Sequence, residues 1–191
     1  MSENVYAAPL ADLNEQADSN TDSRFYVVST RKLLILYFMT LGLYHLYWNY
    51  KNWALHNQAT GEGIWPVPRA IFSIFFTHSL FRNIASHDVT HEHAEWDAAS
   101  NATFMVLLVI GGNLLDRLAS KSIGSPLTDI ASLAMLVPTG LLLMKVQGEI
   151  NARSGDPAGS SNAAFSPANI AWCVLGAAYW TLVFLGITAP D

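Results

Sequence analysis

The chain has little charge and almost no cysteine. Only 13% of its 191 residues are charged, whereas 51% are hydrophobic, and soluble domains carry about 25% charged residues. A protein surface that faces lipid explains this deficit. The single cysteine, Cys173, excludes a disulfide framework. The net charge of -5 and the absence of a basic stripe argue against a nucleic-acid partner.

The sequence also lacks the motifs of common enzyme classes. It contains no glycine-rich phosphate loop, and its serine- and glycine-rich stretch, residues 154–161, has no histidine near it. A serine nucleophile needs a histidine base, so hydrolase chemistry is not expected there. The sequence therefore favours a non-enzymatic role and predicts no cofactor.

The N-terminal region lacks the basic and apolar regions of a secretory signal peptide. It is polar and acidic between Asn14 and Ser23, a composition that cannot bury enough apolar surface to fold. We expect a disordered acidic tail over residues 1–28 and a membrane helical domain over residues 29–191.

Long apolar runs are abundant. The first has Arg31 and Lys32 before it and Trp48 and Trp53 at its end, and basic residues with an aromatic belt are typical of a membrane-spanning helix. This pattern predicts a span over about 31–50. Later runs predict further spans over about 102–118, 127–146 and 168–188.

The segment 68–84 is ambiguous. Arg69 and Arg82 are 13 positions apart, which is roughly 20 Å on a helix and shorter than a hydrocarbon core of about 30 Å. The segment is either a short span, which we favour because its large apolar residues need an environment without water, or a re-entrant or interfacial helix. Because backbone groups in lipid must pair internally, we expect an all-α polytopic membrane bundle with four or five helical segments.

Residues 40–48 read Thr-Leu-Gly-Leu-Tyr-His-Leu-Tyr-Trp. This stretch resembles the Thr-Leu-Gly-aliphatic-Tyr-x-x-Tyr-Trp motif with which a family of uncharacterised bacterial membrane proteins ends its first span. Residues 69–72 and the aromatic stretch after them resemble that family's second segment. The resemblance covers residues 27 to about 85 and implies a multi-pass protein of the bacterial inner membrane. It implies no known activity, and it assigns no role to His45, which stands at a variable position.

A polar loop carries the candidate metal ligands His87, His91 and His93. His87 and His91 would share a face of a helix, and neutral imidazoles beside carboxylates suit zinc or a similar divalent ion. The spacing matches no established zinc motif. A solvated loop without a metal is therefore the favoured interpretation of these residues.

A second candidate is a stripe of polar residues in the first run. His45, Asn49, Asn52 and His56 are spaced four, three and four apart, so they share one helical face. An ionisable residue inside a membrane indicates a functional site by default. We therefore select His45, with His78 as its expected partner from the next segment. For the other three residues we favour a helix that emerges into water.

These observations leave three functional hypotheses. The first is a non-enzymatic inner-membrane component that acts through helix packing, with a membrane-protein partner or as a homo-oligomer in the lipid bilayer. The second is a transporter of a small solute or of protons that uses His45 and His78. The third is a metal-binding membrane protein that uses His87, His91 and His93. Five spans would place six basic residues inside and four outside, which favours an N-terminus inside the cell.

Overall fold

The computed structural model describes residues 24–87 and 95–188, and this part of the chain is all-helical. The predicted all-α fold is therefore confirmed. Its α-helices are α1 (Thr30–Met39), α2 (Tyr44–Thr60), α3 (Pro66–Ile71), α4 (Ser73–Ala85), α5 (Ala98–Ala119), α6 (Leu127–Ala134), α7 (Leu136–Arg153) and α8 (Pro167–Thr188).

Three helical stretches are long and apolar enough to cross a membrane. They are Ala98–Ala119, Leu127–Arg153 and Pro167–Gly186, and they match the last three predicted spans. At most 17% of each apolar stretch is buried inside the protein, so most of their apolar surface needs lipid around it. The chain is therefore a membrane protein. α6 and α7 form the middle stretch, which breaks just before Pro138, because a proline nitrogen cannot donate the helical hydrogen bond.

The first apolar run is not a single helix, so the predicted span over 31–50 is wrong. Four residues separate α1 from α2. Two of them, Leu41 and Gly42, have φ angles of 48° and 87°, in the left-handed region that ends a helix. Hydropathy does not report such a turn, because every residue of the turn is uncharged.

Thr40 secures this turn on both sides. Its hydroxyl donates to the carbonyl of Leu36 at 2.7 Å and accepts a hydrogen bond from the backbone N–H of Tyr44 at 2.9 Å. The first contact closes the end of α1, and the second caps the start of α2, where backbone donors lack partners within the helix.

The turn sends α2 back beside the segment that precedes α1. The N–H of Tyr26 donates to Oδ1 of Asn52 at 3.1 Å, and the hydroxyls of Tyr26 and Tyr44 lie 3.2 Å apart. One continuous helix would separate the two ends of this stretch by more than about 30 Å. Residues 26–52 therefore form a helical hairpin, which we call the hairpin.

The segment 68–84 forms the short helices α3 and α4, which have 6 and 13 residues. The guanidinium of Arg69 lies 4.4 Å from the ring centre of Trp53 in α2 and 5.1 Å from that of Phe76 in α4. Both helices are shorter than a span requires, and they pack on the hairpin. This geometry agrees with the re-entrant or interfacial alternative and not with the favoured short span.

The open end of the hairpin meets the ends of several other helices. The carbonyl of Val28 accepts from Asn151 near the end of α7, and Arg153 donates to the carbonyl of Ala85 at the end of α4 at 3.0 Å. We call this the hairpin end of the molecule. The opposite end, at residues 120–126, is the far end. α5 runs from the hairpin end to the far end, α6 and α7 return, and α8 crosses again.

The tip of the hairpin, which is the turn at residues 40–43, reaches about the middle of this bundle. α1 has ten residues and is therefore about 15 Å long, half of a hydrocarbon core of about 30 Å. Its last turn meets the middle of α8, where Nε1 of Trp180 donates to the carbonyl of Phe38 at 2.8 Å. The backbone of Gly176 lies against the carbonyl of Met39 in the same region.

Part of the predicted tail belongs to the folded domain. Phe25 and Val28 are 1% and 0% exposed and belong to the hydrophobic core, so the predicted domain boundary at residue 28 lies too late in the chain. The prediction of disorder for residues 1–23 lies outside the described residues.

Candidate functional site

The extended segment at residues 26–29, just before α1, has buried backbone groups that pair with amide side chains. Asn52 accepts from the N–H of Tyr26, and Nε2 of Gln147 donates to the carbonyl of Tyr26 at 2.9 Å. Asn151 contacts both backbone groups of Val28, since its Oδ1 accepts from the N–H at 3.3 Å and its Nδ2 donates to the carbonyl at 2.9 Å. We call Asn52, Gln147 and Asn151 the amide clamp.

The members of the amide clamp are fully buried, at 0% exposure each. Gln147 accepts from Nε1 of Trp48 at 2.6 Å and donates to Oδ1 of Asn151 at 2.7 Å. A buried polar group without a partner is costly, so this connected network permits one arrangement of the extended segment between α2 and α7. Its role is to anchor the hairpin to the spanning helices.

The polar stripe of α2 is therefore not in water, and that prediction is wrong for three of its members. Asn49, Asn52 and His56 are 2%, 0% and 0% exposed. The reason is the turn at the hairpin tip, which directs this face of α2 towards the extended segment and α4. Sequence spacing identified the shared face but could not identify its neighbours.

His56 is held as a neutral imidazole. Its Nδ1 lies 3.2 Å from Nε of Arg24, and arginine can only donate, so Nδ1 carries no proton. The proton is then on Nε2, which faces a carboxylate oxygen of Glu62 at 3.6 Å. Burial, followed by the charge of Arg24, lowers the pKa of His56 below its ordinary value.

The predicted metal ligands lie mostly outside the described residues. Of the three, the structure describes only His87, whose ring centre is 5.5 Å from that of Phe25. Among residues 24–87 and 95–188, no group of three His, Cys, Asp or Glu side chains could hold a metal ion. His91 and His93 fall in the gap between these ranges, so the zinc site stays a prediction.

His45 and His78 do not form the expected pair. Nε2 of His78 lies 3.1 Å from the hydroxyl of Thr103 in α5. The half-buried ring of His45 lies 6.0 Å from that of Trp48, its neighbour on α2. No hydrogen bond joins the two histidines in the part of the chain that the structure describes. A functional role for either residue stays a prediction.

A cavity of about 560 Å³ lies on the far-end side of the hairpin tip, which we describe as below the tip. The tip bounds it towards the hairpin end, and α5, α6, α7 and α8 contribute its walls. Most of its lining is apolar. The lining residues are Met39, Thr40, Leu41, Leu43, Asp116, Ser132, Leu133, Leu136, Trp172, Leu175, Gly176, Tyr179 and Val183.

Asp116 is the one charged residue among the described residues that line the cavity. It lies 18 residues after Ala98, the first residue of α5, and therefore about 27 Å along the helix towards the far end. In the described part of the chain its carboxylate takes part in no hydrogen bond and no ion pair. One feature of the sequence pointed to Asp116 as a candidate: it is an aspartate in the last turn of an apolar run.

The volume of this cavity lies within the range of small-molecule sites. Sites for small molecules commonly measure about 300–1,000 Å³ and combine apolar walls with a few placed polar groups. Here the polar side-chain groups are the carboxylate of Asp116, the indole N–H of Trp172 and the hydroxyls of Thr40, Ser132 and Tyr179. Thr40 is already engaged in the turn, so the other four remain for a ligand.

Sequence reasoning missed this cavity because its walls come from five helices. Residues that lie up to 144 positions apart in the chain, from Met39 to Val183, meet around it. Comparisons with models of protein families, with curated proteins and with solved structures found no match to this chain.

Proposed function

We propose that this chain is a multi-pass membrane protein that binds a small, largely apolar molecule below the hairpin tip. The cavity of about 560 Å³ carries this proposal. The hairpin fills about half of the bilayer depth, and the space beneath its tip is enclosed on several sides by spanning helices. A molecule in that space would replace lipid contacts with protein contacts, and the placed polar groups would give selectivity.

Binding is favoured over catalysis by the lining itself. Its polar side-chain groups are one carboxylate, three hydroxyls and one indole N–H, and they do not include a histidine or cysteine in nucleophile or base position. Of the three hypotheses from the sequence, the cavity supports the transport of a small solute most directly, with Asp116 in place of the histidines. A role through helix packing alone does not require a cavity.

The distribution of basic residues supports an orientation with the hairpin end in the cytoplasm. Of the ten Lys and Arg, Arg117 and Lys121 lie at the far end and the other eight lie in the half of the protein that contains the hairpin. Cytoplasmic regions of membrane proteins carry such an excess. The eight residues are Arg24, Arg31, Lys32, Lys51, Arg69, Arg82, Lys145 and Arg153. With the motif of residues 40–48, this supports the bacterial inner membrane as the location.

Native mass spectrometry tests the binding proposal. The protein in detergent would be titrated with decanol, a neutral amphiphile, and the number of bound molecules counted. Ser132→Trp fills the cavity, whereas Ile110→Trp places the same ring on the exposed face of α5 at a residue that is 46% exposed. We expect one tightly bound decanol in the natural protein and in Ile110→Trp, but none in Ser132→Trp. Equal binding in all three proteins would overturn the proposal.

A further inference from the structure

We propose that the ligand of this cavity is an amphiphilic amine, with a cationic group at Asp116 and an apolar body that extends towards the hairpin tip. This inference rests on the proposed binding function and specifies its substrate class. It is carried by three observations: an unneutralised carboxylate in the lining, an aromatic ring on the facing helix, and a lateral opening beside α8.

The charge of Asp116 is not neutralised within the described part of the protein. Arg117, its neighbour in sequence, points in a different direction on the helix and does not line the cavity. Asp116 forms no ion pair with any of the described residues. α5 ends three residues after Asp116, and the negative end of its helix dipole favours a cation at the same place.

The helix across the cavity from Asp116 presents an aromatic ring on the far-end side of the hairpin tip. Tyr179 lies three residues beyond Gly176, where α8 contacts the tip, and lines the cavity, whereas Trp172 lies four residues before this contact, towards the hairpin end. Aromatic faces attract ammonium groups. A carboxylate together with such a ring is a common arrangement for organic cations and is unfavourable for a fatty acid, whose charge would be repelled.

Asp116 and the hairpin tip lie at the membrane depths that the charged and apolar parts of an amphiphile occupy. Asp116 lies about 27 Å from the start of α5, near the far edge of a hydrocarbon core of about 30 Å. The opposite wall of the cavity is the hairpin tip at Leu41 and Leu43, near the middle of the core. A charged group would therefore remain at the interface while an apolar chain fills the leaflet beneath the tip.

The cavity is open to the bilayer on one side. α8 packs closely against α1 and, within the described residues, against no other helix. Its contact with the hairpin is in the middle of the helix, at Gly176 and Trp180. The half of α8 nearer to the far end is consequently separated from α6, and an amphiphile can enter between these two helices from the leaflet.

The test compares three ten-carbon probes by native mass spectrometry: decylamine, decanol and decanoate. We expect the natural protein to bind decylamine at least about tenfold more tightly than decanol, and decanoate the most weakly. Asp116→Asn should bind decylamine and decanol equally. Leu114→Asp adds a carboxylate on the opposite face of the same helix, at a residue that is 57% exposed, and should not change the preference.

Each outcome is informative. The proposed function stands and this inference is wrong if Ser132→Trp abolishes decanol binding but the natural protein shows no preference for decylamine. The same conclusion holds if Asp116→Asn retains the preference for decylamine. If none of the probes binds, both fail. A phosphatidylethanolamine adduct that the natural protein retains and Asp116→Asn loses identifies a lipid amine as the source. Decylamine binding without such an adduct identifies a free amine.

Discussion

Replacement of Asn151 by leucine should detach the extended segment from α7. The side chain is 0% exposed and pairs with the N–H and the carbonyl of Val28 and with Nε2 of Gln147. Leucine has a similar size but no polar atoms, so three buried polar groups lose a partner. Each such group costs about 1–3 kcal/mol, and the lower limit gives a destabilisation of about 3 kcal/mol.

Thermal unfolding in detergent, followed by helical circular dichroism, measures this loss. A change of 1 kcal/mol shifts the Tm of a chain of this size by about 2–4 °C, so Asn151→Leu should lower the Tm by about 6–12 °C. Asn113→Leu is the matched control, because Asn113 is exposed on α5 and takes part in no hydrogen bond among the described residues. If both variants melt like the natural protein, the amide clamp does not anchor the hairpin.

Two further predictions concern the hairpin tip and His56. A Cβ at Gly176 would lie 2.7 Å from the carbonyl carbon of Met39, whereas one at Gly186 meets nothing within 4 Å. Gly176→Ala should therefore destabilise the protein by about 1–3 kcal/mol, which lowers the Tm by about 2–12 °C, and Gly186→Ala should not. Equal Tm values would exclude close packing of α8 on the tip. The lowered pKa of His56 means that the unfolded chain binds more protons just below its ordinary pKa of about 6.5. Stability should consequently fall as the pH is lowered through about 6.5. His56→Gln should flatten this slope, and an unchanged slope would contradict a neutral buried His56.

The three spanning helices could be predicted from the sequence because their signal is local. A membrane helix needs about 20 apolar residues in succession, and residues 98–119, 127–153 and 167–186 satisfy this requirement without reference to the rest of the chain. The turns between them were visible for the same reason, since glycine, proline and charged residues interrupt the runs.

The hairpin could not be predicted in this way. Its turn depends on a left-handed Leu41 beside Gly42, and a leucine with positive φ is uncommon. What stabilises the returning helix is distant in sequence, since Trp48 donates to Gln147, 99 positions later. Polar residues in α2 therefore suggested a helix that enters water, although the segment before α1 supplies the partners of Asn52 and His56.

The candidate site was only partly visible for a related reason. Asp116 could be recognised as a charge at the end of an apolar run, and that pattern is equally typical of an interfacial residue. Its significance comes from the tip of the hairpin and from Tyr179 on α8, which lie across the cavity. The position of the tip follows from the turn, so an error in the first helix concealed the site as well.

Cysteine labelling tests the central claim, that the first apolar run is a hairpin which returns to the side from which it enters. In a Cys173→Ala background, single cysteines would replace Gln58 after the hairpin, Ala158 between α7 and α8, and Ser120 at the far end, all at exposed positions. A membrane-impermeant maleimide would be added to intact and to permeabilised cells. We expect Ser120→Cys to react in intact cells, and Gln58→Cys and Ala158→Cys only after permeabilisation. Reaction of Gln58→Cys from the same side as Ser120→Cys would show that residues 31–50 cross the membrane and would contradict the hairpin.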